Sequence, residues 1–180
     1  ITFEAQVPHG LNGPRPHLDL RLDADDRVLA IESKCLEYLY PTRKPAWFAP
    51  AYDTIIDQRA QSPWFRHIAT LRENSERYRY LDAAQLIKHY LGLSHCEPTK
   101  SLTLLYLFWE PGNWQDFKAF RQHREEIRAF SDVVAGDQIR FEAMSYNELW
   151  VEWERRTAPA WLAGHVKRLI ARYQIDLNSI

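Results

Sequence analysis

Two strand-like runs constrain this chain more than any other feature. They are His17-Leu18-Asp19-Leu20-Arg21-Leu22 and Val28-Leu29-Ala30-Ile31-Glu32-Ser33-Lys34, joined by a short acidic turn over 23–27. The first alternates apolar and polar residues, which puts Leu18, Leu20 and Leu22 on one face. The second opens on four consecutive apolar residues, as a strand covered on both faces does. It nevertheless carries Glu32 and Lys34, and strand residues two apart point the same way. A carboxylate and an amine on a buried strand incur a desolvation cost. Asp19 on the neighbouring strand can bring a second carboxylate to the same spot. Two carboxylates and one lysine at a strand edge suit Mg²⁺ and a phosphate.

The remaining pattern predicts what surrounds these strands. Thr2 to Val7 reads as a first strand, and Pro8-His9-Gly10 and Asn12-Gly13-Pro14 mark the loop after it. Residues 28–37 are expected to be strand throughout. Three Xaa-Pro pairs between 40 and 50 preclude a long helix there. Ser62-Pro63 reads as an N-cap and first helical residue of a helix to about Glu73. A second helix covers roughly Tyr80 to Leu91, with Gly92 as its stop. Leu102 to Trp109 is a strand buried on both faces. Asn113 and Asp116 read as a capping pair for a long helix with a Phe117, Phe120, Ile127, Phe130, Val134 stripe. Gln138 to Met144 is a last strand, Ser145 and Glu148 form a capping box, and 159–173 is a C-terminal helix. Strands joined directly, followed by strands joined through helices, imply a mixed sheet flanked by helices.

Length and charge set the outer bounds. The 180 residues suit one domain, 1–180. A net charge of −1 excludes a uniformly basic surface, so a polyanion would be held by a local patch. Cys35 and Cys96 form neither a disulfide framework nor a zinc site, and Cys35 is expected in the core. A reducing cytoplasm fits. No apolar run is long enough to cross a membrane, and no signal peptide is visible.

Asp19, twelve intervening residues, then Glu32-Ser33-Lys34 resembles the PD-(D/E)XK motif of the restriction-endonuclease-like nuclease superfamily. The order of elements downstream is similar to that superfamily's core. Ala30-Ile31-Glu32-Ser33-Lys34 and Gln85-Leu86-Ile87-Lys88-His89-Tyr90 resemble an uncharacterised bacterial branch of it. Leu18 stands where the motif has Pro, and Gln85 and Tyr90 are five apart where related branches space them by four.

The resemblance implies a restriction-endonuclease-like α/β domain that hydrolyses phosphodiester bonds in DNA with Mg²⁺, for which Mn²⁺ can substitute. It implies metal ligation by Asp19, Glu32 and the Ser33 carbonyl, water activation by Lys34, and support from Gln85. Many members add an acidic residue on an upstream helix. Here that residue is absent, lies ahead of Ile1, or is replaced by Glu4. The alternative is a catalytically inactive nucleic-acid-binding or protein-interaction domain of the same fold.

Other residues carry a functional reading beside a bland one. Gln85, Lys88 and His89 share a helix face that could grip a phosphate or simply be solvated. Arg43 and Lys44, interleaved with Trp47, Phe48 and Tyr52, could clamp a nucleic-acid backbone or pack on the domain. Arg66, Arg72, Arg77 and Arg79 add charge nearby. Glu37 is a candidate further ligand, and His17 a candidate phosphate contact. Near-zero net charge leaves room for a second subunit, as a homodimer or larger assembly, to help hold DNA.

Overall fold

The computed structural model describes residues 1–11, 13–40, 48–156 and 159–178. Five strands form one mixed sheet in the order β1-β2-β3-β4-β5. These are β1 (Thr2–Gln6), β2 (His17–Asp23), β3 (Arg27–Lys34), β4 (Ser101–Phe108) and β5 (Ile139–Ser145). The first three pair antiparallel, whereas β3, β4 and β5 run parallel. Parallel neighbours need crossovers, and helices supply them. Helices α1 (Ala51–Gln58), α2 (Pro63–Glu73) and α3 (Ala83–Cys96) connect β3 to β4. Helix α4 (Lys118–Val134) connects β4 to β5, and α5 (Tyr146–Arg155) and α6 (Ala160–Tyr173) follow.

The interior position of β4, between β3 and β5, explains its composition. Leu104 to Phe108 are all buried, so the strand is apolar on both faces. Around it, Trp64 stacks on Tyr90 at 4.6 Å between ring centres, and Phe130 meets Trp64 edge to face. Phe120, Ile127, Phe130 and Val134 bury the expected stripe of α4. Ser145 and Glu148 form the expected capping box at the start of α5.

Several expectations need correction. Strand β3 ends at Lys34 rather than at residue 37, and Cys35 is exposed rather than in the core. The segment in which the prolines preclude a long helix is followed by a short one, α1, at 51–58. Gly92 does not stop α3, which runs on to Cys96. It is there for closeness: a Cβ at 92 would lie 2.8 Å from the side chain and carbonyl oxygen of Val7. Asn113 and Asp116 do not cap α4, which starts at Lys118 without a side-chain cap. Asn113 instead holds the C-terminal segment, accepting from the Leu177 amide and donating to its carbonyl at 2.9 Å each. Ser62 precedes Pro63 as expected, but its hydroxyl donates to Asp137 Oδ2 at 2.6 Å rather than capping α2.

Candidate active site where two strands part

The β2–β3 ladder runs from Asp23↔Val28 to Leu20↔Ile31. One step further, the register sets Asp19 opposite Glu32. There the ladder gives way to a side chain: Asp19 Oδ2 accepts a hydrogen bond from the Ser33 amide at 2.6 Å. The parting of two strands therefore leaves a backbone donor that a carboxylate satisfies. On the other side of β2, Glu4 falls opposite Asp19 between the pairs Phe3↔Leu20 and Ala5↔Leu18. Glu4 has φ of +48°, a left-handed conformation rare for a residue with a Cβ. Such a conformation costs about 1–2 kcal/mol and tends to persist at functional sites.

Glu32 is 2% exposed. Lys34 Nζ donates to its Oε1 at 2.5 Å. His89, 1% exposed on α3, brings Nε2 to 3.0 Å from its Oε2. The imidazole lies off the hydrogen-bond line, so Glu32 Oε2 and both His89 ring nitrogens have no aligned partner among the described residues. Burial penalises the Glu32 charge, but His89 and Lys34 outweigh that penalty and hold the carboxyl below the usual range. Asp19 behaves oppositely. Burial pushes its carboxyl up, the Ser33 amide pulls it down, and the Glu32 and Glu4 charges push it up again. Two neighbouring carboxyls with affinities driven apart are a common arrangement where acid–base or metal chemistry occurs.

Not every candidate residue meets here. Asp19, Glu32, Ser33 and Lys34 come together at the carboxyl end of β3, and Glu4 joins them. His89, expected on a nucleic-acid-binding face, is instead buried against Glu32. Gln85 sits one turn before His89 on the same side of α3, half-buried, and its backbone amide is taken by the N-cap Asp82. Lys88 is half-buried with Nζ 5.8 Å from the Phe48 ring centre. Glu37 turns away to accept from the Cys35 and Leu36 amides, so it is not a further ligand in this arrangement. His17 is exposed on β2. Arg43, Lys44 and Trp47 lie outside the described residues.

Sequence reasoning missed Tyr146. Its hydroxyl pairs with Ser33 Oγ at 2.7 Å, tying α5 to the residue between Glu32 and Lys34. A signal was available. The capping box fixes Tyr146 as the first residue of a helix directly after a parallel strand. Loops at the carboxyl ends of parallel strands converge on ligand sites.

The donor set suits a hard divalent cation. Among the described residues no cluster of three or more His, Cys, Asp or Glu forms a cage for a metal. Mg²⁺ needs none, because it binds through one or two carboxylates and keeps water and phosphate oxygens for the rest. Asp19 leaves Oδ1 without a hydrogen bond among the described residues, and Glu32 leaves Oε2 without an aligned one.

A mixed sheet with helical crossovers, and a carboxylate pair with a lysine at its parting strands, define an α/β domain of restriction-endonuclease-like fold. The chain belongs to the family described as Restriction Endonuclease associating with ARP, whose model matches residues 1–174. It is therefore a nuclease-like domain. No curated protein and no solved structure matches it.

Proposed function

We propose that this protein is a metal-dependent deoxyribonuclease. One observation carries the reading: the Asp19 carboxylate seated on the Ser33 amide beside the buried Glu32, Lys34 and His89. Asp19, Glu32 and the Ser33 carbonyl would hold Mg²⁺ or Mn²⁺. The bound cation would lower the pKa of water and offset charge on a phosphate oxygen. Lys34 and His89 flank the two Glu32 oxygens, so the orientation of that carboxylate is fixed before substrate arrives. Lys34, 17% exposed, can turn from Glu32 toward an incoming water or the developing phosphorane charge. The Ser33–Tyr146 pair keeps the end of β3 in register with α5.

The family's description names association with ARP. We take that, together with the near-zero net charge, as support for action beside a partner. No helix among the described residues is long and apolar enough to cross a membrane.

The test is plasmid cleavage with Mg²⁺ or Mn²⁺. Wild type is expected to nick or linearise the plasmid, and Lys34→Ala to lose the activity. Cleavage that survives Lys34→Ala undiminished would remove Lys34 from the reaction. A chain that binds DNA in Ca²⁺ and never cuts would favour the inactive binding domain instead.

A further inference from the structure

Helix α6 differs in charge from the rest of the molecule. The whole chain has net charge −1, yet Ala160–Tyr173 holds Lys167, Arg168 and Arg172 and no acidic residue. All three cations are exposed, and none joins an ion pair among the described residues. Trp161, His165, Arg168 and Arg172 are spaced by four, three and four residues, so they form one stripe along the helix. Trp161 heads that stripe and is 70% exposed. At 1.5 Å per residue the helix spans about 21 Å, long enough to follow several phosphates of a duplex.

The C-terminal end of α6 is tied to the strand that carries the candidate lysine. The Tyr173 carbonyl accepts from Trp109 Nε1 at 2.9 Å, and the Trp109 amide donates to the Lys34 carbonyl at 2.9 Å. Two hydrogen bonds thus join the C-terminal end of α6 to the lysine of the site. A second tie runs through α5, where Tyr146 holds Ser33.

We propose that the exposed stripe of α6, together with Lys167 on the adjoining exposed side of the helix, is a docking surface for the phosphate backbone of duplex DNA. It guides the duplex toward the Asp19–Glu32–Lys34 cluster, and in that respect it rests on the nuclease reading above. A basic helix can also lie on an anionic membrane, but that needs a free apolar face. Here Val166 is 1% exposed, and Leu162, Leu169 and Ile170 are half-buried in the α5–α6 pairing. The side left to solvent carries Lys167, Arg168 and Arg172 beside the exposed aromatics Trp161 and Tyr173, with no continuous apolar face, which suits phosphates rather than acyl chains.

The test measures binding without cutting. The full chain carrying Lys34→Ala is titrated into a fluorescein-labelled 20-bp duplex in EDTA over a series of NaCl concentrations. It is compared with the same chain carrying Lys167→Gln, Arg168→Gln and Arg172→Gln. A control carries Arg128→Gln and Arg140→Gln on another surface. Circular dichroism verifies that each folds. Removing one cation from a phosphate lowers the log–log salt slope by about 0.9. The triple variant is therefore expected to reduce the slope by about 2–3 and weaken binding at least tenfold at low salt, with the control near its parent. An equal loss in control and triple variant would overturn the proposal, as would an unchanged slope in the triple variant. So would tighter binding to phosphatidylserine vesicles than to the duplex. Plasmid cleavage by the wild-type chain is read separately, so failure of the nuclease reading would leave the binding result standing on its own.

Discussion

Two buried glutamates in this molecule are handled in opposite ways. Glu126 on α4 is 7% exposed, and its two oxygens accept from the amides of Arg79, Tyr80 and Leu81 and from the Gln122 side chain at 2.8–3.0 Å. Its carboxylate is saturated by fixed donors, and it locks the chain entering α3. Glu32 is 2% exposed, yet one oxygen is shared with a lysine and the other faces a misaligned histidine. Burial alone does not distinguish these two environments. The difference lies in whether the coordination is complete. A saturated carboxylate has no capacity for a ligand, whereas an incompletely satisfied one holds a position open and costs stability.

Substitutions can break or sharpen that contrast. The largest expected effect is on activity: Lys34→Ala should slow plasmid cleavage about 10²–10⁴-fold, the range for loss of a positioned acid–base group. Next comes stability. Glu126→Gln places an amide donor where backbone amides need an acceptor, and should cost about 2–3 kcal/mol in urea unfolding. Glu32→Gln should cost no more than about 1–2 kcal/mol, because Lys34 keeps an acceptor and partial access to water. Equal costs would erase the distinction drawn between the two glutamates.

The histidines extend the comparison with a smaller effect. His123 is buried on α4, its Nε2 3.0 Å from the Tyr106 hydroxyl, and burial lowers its pKa from 6.5 to about 3. The unfolded chain therefore carries one more proton at this site between those values. Stability rises with pH across that window and is lost as pH falls, by about 1.4 kcal/mol per unit. His123→Gln should flatten that acid limb by the same amount. An unflattened limb would mean that the ring is charged in the fold. The smallest change expected is for Tyr146→Phe, which removes one hydrogen bond to Ser33. It should lower cleavage only a few-fold, about 1 kcal/mol, with unfolding little affected.

How much of this is legible in the sequence follows from where each signal resides. The alternation in 17–22 and the apolar run in 28–31 are local, and they locate β2 and β3 and set Asp19 beside Glu32. The capping box at Ser145 is local too. Gly92 misleads because a glycine that ends a helix and one that admits a neighbouring chain look alike until Val7 is in place. Asn113 misleads for the same reason, since its partner Leu177 lies 64 residues away. His89 shares a helix face with Gln85, but only the packing of α3 on the sheet turns that face toward Glu32. Long-range pairing decides each of these cases, and periodicity carries no record of it.

The most direct measurement is anomalous diffraction from crystals soaked in Mn²⁺. A peak about 2.0–2.3 Å from Asp19 Oδ1 and from one Glu32 carboxylate oxygen, with Lys34 Nζ turned off Glu32, is the predicted result. A peak elsewhere, or none with Glu32 still held between Lys34 and His89, would contradict the account.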